Sequence, residues 1–389
     1  MASPALATYF DTSATTPPSE AVLRAMAEVQ STAWANPSSL HGPGLAAAEQ
    51  LERSRQTLAM LLGCDAEELV VTSGGTEAIH LALLGAAATL QPGRLLISAV
   101  EHPATQAAAS RLAERGWQVQ ILPVDCQGLL DLHALDALLA PPTRLVSLIW
   151  GQNEVGSLQP IEAIGSRCRA SGVLLHVDAV QVLGHRPLQF RDLPVDLLSG
   201  AAHKLQGPRG VGVLLVRAGV PLQGQLGGGG QEGGRRAGTE PVALLAGFAK
   251  ALELARQLPS TARLRDPLLD QLLAIPGIRL TGPAPGPQRL PHHISLLVAG
   301  PDGQPLSGRW LVAEMARQGF AISSGSACSS SGSAASPVLL AMGCSEAEAS
   351  SGVRISLGPW HTPADGMALV AALTRTLDRL REVPVETTR

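Results

Sequence analysis

The chain has 389 residues, of which 45% are hydrophobic and 16% charged, with a formal net charge of −3. That is material for a large core, a length suited to two domains, and no basic surplus for holding nucleic acid or an anionic membrane. The longest apolar runs, such as RLVSLIW from Arg144, are far too short to cross a bilayer.

The N-terminal MASPALATYFD has neither a basic stretch nor a long apolar run, so secretion is not expected; a cytoplasmic location is, with an organellar matrix or stroma left open. From Ala21 onward helical and extended patterns alternate. AVLRAMAEVQ, GLAAAEQLERSRQTLAMLL and TEAIHLALLGAAATL read as helices. LVVTS, RLLISAV, VQILPV, LVSLIW, VLLHVD, DLLSG and VGVLLV read as strands. Short apolar runs alternating with helices predict an α/β fold on a mostly parallel sheet. GGGGQEGGRRAGT, from Gly227, is expected to form a loop. Around residue 259, near PSTARLRD, the pattern gives way to a mixed, proline-richer region. The expected division is a large domain over 16–258 and a small one made of 1–15 and 259–389.

Open α/β sheets bind ligands beyond the carboxyl ends of their strands, and the strand ends here are rich in chemistry. LVVTS runs into Gly74, Gly75 and Thr76 and then a helix. Two glycines before a helix N-terminus allow close approach of an anion, although any glycine-capped helix looks the same. RLLISAV runs into His102, which can stack on a ring, act as an acid–base, or simply cap a helix. VLLHV runs into Asp178, with Gln181 three residues on. A carboxylate there can pair with a protonated pyridine nitrogen or cap a helix. DLLSG runs into His203 and Lys204. A lysine of lowered pKa forms Schiff bases, while a lysine taken alone is usually a surface residue.

Five cysteines, an odd number without a C-x-x-C pair, argue for reduced thiols and against both a disulfide framework and a zinc site, so no metal is expected. Cys64, Cys126, Cys168 and Cys344 have ordinary structural readings. Cys328 stands apart. It lies in SSGSACSSSGSAASP, from Ser323, which has little apolar surface and is expected to be a mobile loop. A thiol there is a liability unless its chemistry is the purpose.

Taken together these residues resemble the cysteine desulfurases, pyridoxal-phosphate enzymes of the aminotransferase class V type. The similarity runs from FDTSATTPP at Phe10 to VRISLGPWHT ending at Thr362. The motifs that carry it are NPSSLHGPG from Asn36, TSGGTEA from Thr72, EHPA from Glu101, NEVGSLQPI from Asn153, HVDAVQ from His176, AHKLQGPRGVG from Ala202, RRAGT from Arg235 and SSGSACSS from Ser323. The last resembles the subgroup with a long cysteine loop.

The resemblance implies an aspartate-aminotransferase-like fold, with a large, mostly parallel-sheet domain and a smaller α+β domain. It implies that Lys204 carries pyridoxal 5'-phosphate and serves as base at the substrate Cα. Asp178 would face the pyridinium nitrogen, Gln181 the ring oxygen and His102 the ring face. Gly75, Thr76 and His203 would hold the phosphate, joined by Thr239 of a second subunit in a homodimer. Asn153 and Arg354 would hold the carboxylate of L-cysteine, a task that suits a bidentate arginine. Cys328 would take the sulfur as a persulfide and pass it to an acceptor protein, a cluster scaffold or sulfur carrier, for iron–sulfur cluster assembly or tRNA thiolation.

Three positions depart from the family pattern. Ala201 stands where a serine is usual, Gln152 where an asparagine is common, and Gly233 where an arginine is frequent. Two other readings stand beside it: a selenocysteine lyase or other class V enzyme, which need not depend on Cys328, and a cofactor-free scaffold, against which Lys204, Asp178 and Cys328 all speak.

Overall fold

The computed structural model describes residues 6–325 and 335–382. Cys328 lies outside the described residues. Each of the seven apolar runs forms a strand of one sheet: β1 (Leu69–Thr72), β2 (Arg94–Ser98), β3 (Gln118–Leu122), β4 (Thr143–Ile149), β5 (Leu174–Asp178), β6 (Leu197–Ala201) and β7 (Gly212–Val216). Their spatial order is β1-β7-β6-β5-β4-β2-β3. β3, β2, β4, β5 and β6 run parallel, as expected. β7 is antiparallel to both of its neighbours. The reversal has a simple cause: residues 202–211, between β6 and β7, are too few for the crossover that a parallel neighbour requires.

Helices α1 (Glu20–Thr32), α2 (Gly42–Leu62), α3 (Gly75–Ala87), α4 (Pro103–Ala113), α5 (Leu132–Leu138), α6 (Ile161–Ala170) and α7 (Val242–Ala255) cover the sheet. Successive strand residues point to opposite faces, and here both faces are apolar. Val71, Val146, Leu148 and Val177 pack into one core with residues of α1, α2 and α7. Leu95, Ile97 and Leu145 pack on the other side with residues of α3 and α4. This is the burial pattern of a parallel sheet covered on two faces.

A second sheet, ordered β10-β11-β9-β8, is wholly antiparallel. Its strands are β8 (Ile278–Leu280), β9 (His293–Val298), β10 (Ser323–Ser324) and β11 (Gly352–Ser356). Around it lie α8 (Ala262–Leu273), α9 (Gly308–Arg317), α10 (Pro337–Ala341), α11 (Glu346–Ser350) and α12 (Pro363–Glu382). It has its own apolar core, which Phe10 joins from the other end of the chain. Phe10 N–H donates to Ala321 O and Ser356 N–H to Phe10 O. Residues 11–16 are thereby drawn across the carboxyl ends of the first sheet's strands.

Candidate active site

Three ionisable side chains meet where β2, β5 and β6 end. His102 follows β2 as the N-cap of α4, its Nδ1 accepting from Ala104 N–H at 3.1 Å, with Pro103 in the first turn. The cap and the site are thus the same residue. Asp178 is the last residue of β5 and is buried; its Oδ1 accepts from Val180 N–H at 2.9 Å, closing a side-chain turn rather than capping a helix. Lys204 follows β6, and its Nζ donates to the carbonyls of Ser13 (2.6 Å) and Ala14 (2.7 Å) in the N-terminal strap. Gln181 Nε2 donates to the same Ser13 carbonyl at 2.9 Å, and its buried Oε1 has no partner among the described residues.

These groups feel one another. Burial raises the Asp178 carboxyl above its usual range, opposed by the Val180 N–H and by the charges of His102 and Lys204. Burial lowers the His102 imidazole below its usual value; Lys204 adds to the fall and Asp178 opposes it. Glu101, beside His102, is fully buried and pushed up to about 8, chiefly by burial. Its Oε1 accepts from the Ser98 hydroxyl and from Ile149 N–H.

The anion-binding expectation falls on the start of α3. No side chain caps that helix, so its first N–H groups face outward with the positive end of the helix dipole. A Cβ built on Gly75 would lie 2.7 Å from Val180 Cγ2 and 3.9 Å from Ala201 Cβ. The helix start, the turn after Asp178 and the end of β6 therefore crowd together, and only glycine fits at 75. His203 lies nearby in sequence, its Nδ1 3.1 Å from the Thr15 hydroxyl. Burial, then the charges of Lys204 and Arg209, push His203 down to about 4. Ser199 does not serve this cradle. Its hydroxyl is 2.7 Å from His176 Nε2, whose Nδ1 is 2.8 Å from the Ser147 hydroxyl, and burial drives His176 to about 3.

On the other sheet, Arg354 of β11 is 2% exposed. Its Nη2 pairs with Asp11 Oδ1 at 2.8 Å and its Nη1 donates to Asn153 O at 3.0 Å, while Nε is buried without a partner among the described residues. Arg354 and Asn153 are therefore brought together, with Asn153 contributing its backbone carbonyl.

Thr239 is not brought to this cluster. It is exposed and lines a separate recess with Trp34 and Asn36. A cavity of about 380 Å³ opens behind Lys204, between Leu62, Leu252, Thr261 and Gly358, and takes in neither His102 nor Asp178. Three residues of the site went unassigned in the sequence: Asp11, Ser13 and Glu101. All three sit inside quoted motifs, and the signal that marks the two acids is a charge set among residues that fold inward.

A family model for aminotransferase class V matches residues 8–369. A cysteine desulfurase from Cereibacter sphaeroides is 38% identical over 380 residues, covering 96% of both chains. Among solved structures, a NifS-like protein superposes with a TM-score of 0.88 at 32% identity, over 96% of this chain and 100% of that one. A structure described as SspA in complex with cysteine superposes with a TM-score of 0.81 at 31% identity, over 91% of this chain and 100% of that one.

Proposed function

The chain belongs to the class V aminotransferase family, and from that premise we propose that it is a cysteine desulfurase, taking pyridoxal phosphate at the strand ends and moving sulfur from L-cysteine to Cys328. One observation carries the reading: Lys204, Asp178 and His102 converge, and Gln181, whose buried Oε1 has no partner among the described residues, shares the Ser13 carbonyl with Lys204. Buried polar atoms without partners are costly, which supports a ligand at Gln181 Oε1 and, on the second sheet, another at Arg354 Nε.

The residues fit the cofactor. Asp178 is a buried carboxylate with one hydrogen bond and needs a cation opposite it. Gln181 Oε1, unpartnered among the described residues, is an acceptor and would take a hydrogen bond from the ring oxygen when that oxygen carries a proton. The open start of α3 with Gly75 and Thr76, together with His203, suits a phosphate. When bound, pyridoxal phosphate draws electrons away from the Cα of an amino acid joined to it.

The protein's own groups do the rest. Lys204 would hold the cofactor at rest and take the proton at the substrate Cα. His102, its pKa lowered by burial, would lie against the ring and could accept a proton. Arg354, fixed by Asp11 and the Asn153 carbonyl, orients the substrate carboxylate. The Cys328 thiolate forms an S–S bond to the substrate sulfur as the Cβ–S bond breaks. The carbon skeleton leaves as alanine and the enzyme keeps a persulfide.

The persulfide then passes to an acceptor protein, a cluster scaffold or sulfur carrier. The division into a large domain over 16–258 and a small one of 1–15 and 259–389 follows the separate core that Phe10 shares with residues from Leu268 onward. A homodimer would place the exposed Thr239 on the partner's phosphate, and Trp34, 67% exposed beside it, is apolar surface suited to such a contact. A reduced thiol fits a cytoplasmic setting, and among the described residues no helix is long and apolar enough to cross a membrane.

The test is alanine formation from L-cysteine by the pyridoxal-phosphate-loaded protein. Wild type is expected to form it; Lys204→Ala is expected to form none and to lack the visible absorbance of the lysine-bound cofactor. Full turnover by Lys204→Ala would remove the assignment.

A further inference from the structure

His185 and His292 take no part in the reaction described above, yet with Lys204 they close a ring of contacts. His185 lies in the turn after β5, and its Nε2 is 3.2 Å from the Lys204 carbonyl oxygen. A carbonyl only accepts, so that nitrogen carries the proton and donates. The His185 ring stacks on the His292 ring, with centroids 3.7 Å apart and planes 20° apart. His292 precedes β9 of the second sheet and is buried, and its Nε2 is 3.4 Å from the Ser13 hydroxyl oxygen. Ser13 O in turn accepts from Lys204 Nζ. The lysine is thus held at both ends, by its own carbonyl and by its Nζ, and the two holds meet through the stacked rings.

The surroundings keep that arrangement in place. Gly184 has a φ of +81°, and a Cβ built on it would lie 2.8 Å from Leu205 Cβ. The turn that carries His185 is therefore pressed against the residue after Lys204, and glycine alone suits it. His203 O, one residue before Lys204, accepts from Thr16 N–H at 2.9 Å and from the Thr16 hydroxyl at 2.8 Å. Ser13 N–H donates to the Ser356 hydroxyl, and Leu357 N–H donates to His292 O, both at 2.9 Å. The strap and His292 are thus fixed side by side at the end of β11. Burial lowers His185 to about 4 and His292 well below its usual value, so both rings are neutral and stack without like-charge repulsion.

We propose that His185 and His292 are positioning residues for Lys204. The stacked pair fixes the main chain from which the lysine extends and the strap carbonyl that receives its Nζ, and so sets where the amine stands. The proposal rests on the reading of Lys204 as the cofactor lysine. The contribution is one of geometry: a shift of about 1 Å in a reacting group, caused away from the chemistry, can cost as much as a hundredfold in rate. Two carbonyl acceptors also favour the ammonium form of the side chain. Loosening the hold therefore leaves Lys204 less well aimed and, as a free amine, more open to reagents.

Lys204 and Lys250 are the only lysines in the chain, so Lys250 serves as internal standard when the apoprotein is acetylated and its peptides are weighed. Two further readouts are the rate at which added pyridoxal phosphate gains its lysine-bound absorbance, and alanine formation by the loaded enzyme. His185→Phe keeps a stacking ring and removes the donor. It is expected to raise Lys204 labelling relative to Lys250 about threefold or more, to slow cofactor attachment and kcat about tenfold, and to leave the KM for L-cysteine within about twofold. His185→Ala leaves a space that opens on the cavity of about 380 Å³, which His185 and Lys204 both line. Imidazole should enter it and restore attachment and kcat severalfold at about pH 8.5; 1-methylimidazole, neutral there and without an N–H, should not. His292→Ala removes the brace and should act in the same direction, with the double variant no worse than the worse single one. Wild-type labelling, attachment and kcat in His185→Phe would overturn the proposal, as would equal recovery with both imidazoles or with neither, additive losses in the double variant, or a change confined to KM. Should wild type take up no cofactor on Lys204, that reading falls, and the labelling ratio alone decides whether the histidine pair holds the lysine.

Discussion

Glu232 and Asp178 are both buried carboxylates, yet the fold treats them in opposite ways. Glu232 sits in the glycine-rich stretch after β7, with its side chain 1% exposed. Arg55 reaches it through both Nη1 and Nη2, at 2.9 and 2.6 Å, and Val71 N–H donates to it at 2.8 Å. Asp178 accepts one backbone N–H, and no ion pair is seen for it among the described residues. Burial raises its pKa, and the charges of His102 and Lys204 only partly offset that. A carboxylate that holds a fold together has its needs met inside the chain. One that serves chemistry is left short, so that a ligand can complete it.

The comparison can be broken by removing each charge in turn. Glu232→Ala leaves Arg55 and Val71 N–H without their partner, and breaking a buried pair in this way costs about 3–5 kcal/mol. Urea unfolding of the apoprotein should show that loss, with activity per folded molecule retained. Asp178→Asn should do the reverse: unfolding unchanged or slightly harder, since the buried charge is gone, and alanine formation lower by about a hundredfold or more, the usual scale for losing one preorganised electrostatic partner. If Asp178→Asn unfolds the protein, or Glu232→Ala unfolds as wild type does, the distinction between them fails.

A smaller effect sharpens the same contrast at the cofactor phosphate. Ala201 Cβ faces Gly75 at the start of α3, and Ser199, on the same face of β6 two residues earlier, is committed to His176. No hydroxyl from β6 is therefore available to an anion there. Ala201→Ser adds a donor to a charged acceptor, worth about 1.5–3 kcal/mol at most, less what a bridging water already supplies. The variant should retain pyridoxal phosphate a few-fold to about tenfold longer under dialysis against a carbonyl reagent. Equal or faster loss would mean that position 201 does not face the phosphate, since the arrangement around Ser199 removes the other explanation.

Much of this was legible in the sequence. The seven strands announced themselves because each is a short apolar run bounded by turn residues, and the chemistry lay directly after them. The reversal of β7 was not read, although the ten residues after β6 imply it, because the run itself looks like any other buried strand. Glu232 was hidden by its surroundings: among so many glycines the stretch reads as loop, and the salt bridge to Arg55 spans 177 positions. The partnership of Asp11 with Arg354 is equally remote, 343 positions apart. Local pattern carries no trace of such pairs. Asn153 and Arg354 were named together by resemblance, and they do meet, through a backbone carbonyl that no side-chain reading would supply.

The central claim is that sulfur from L-cysteine comes to rest on Cys328, and one measurement tests it most directly. The loaded enzyme is mixed with one equivalent of L-cysteine without reductant, quenched, and the Cys328 peptide weighed beside the alanine released. The account predicts a gain of one sulfur atom on that peptide, matching alanine mole for mole and reversed by reductant, and neither product in Cys328→Ser despite an unchanged cofactor absorbance. Alanine formed by Cys328→Ser at the wild-type rate, or sulfur found on Cys126 or Cys344 instead, would contradict it.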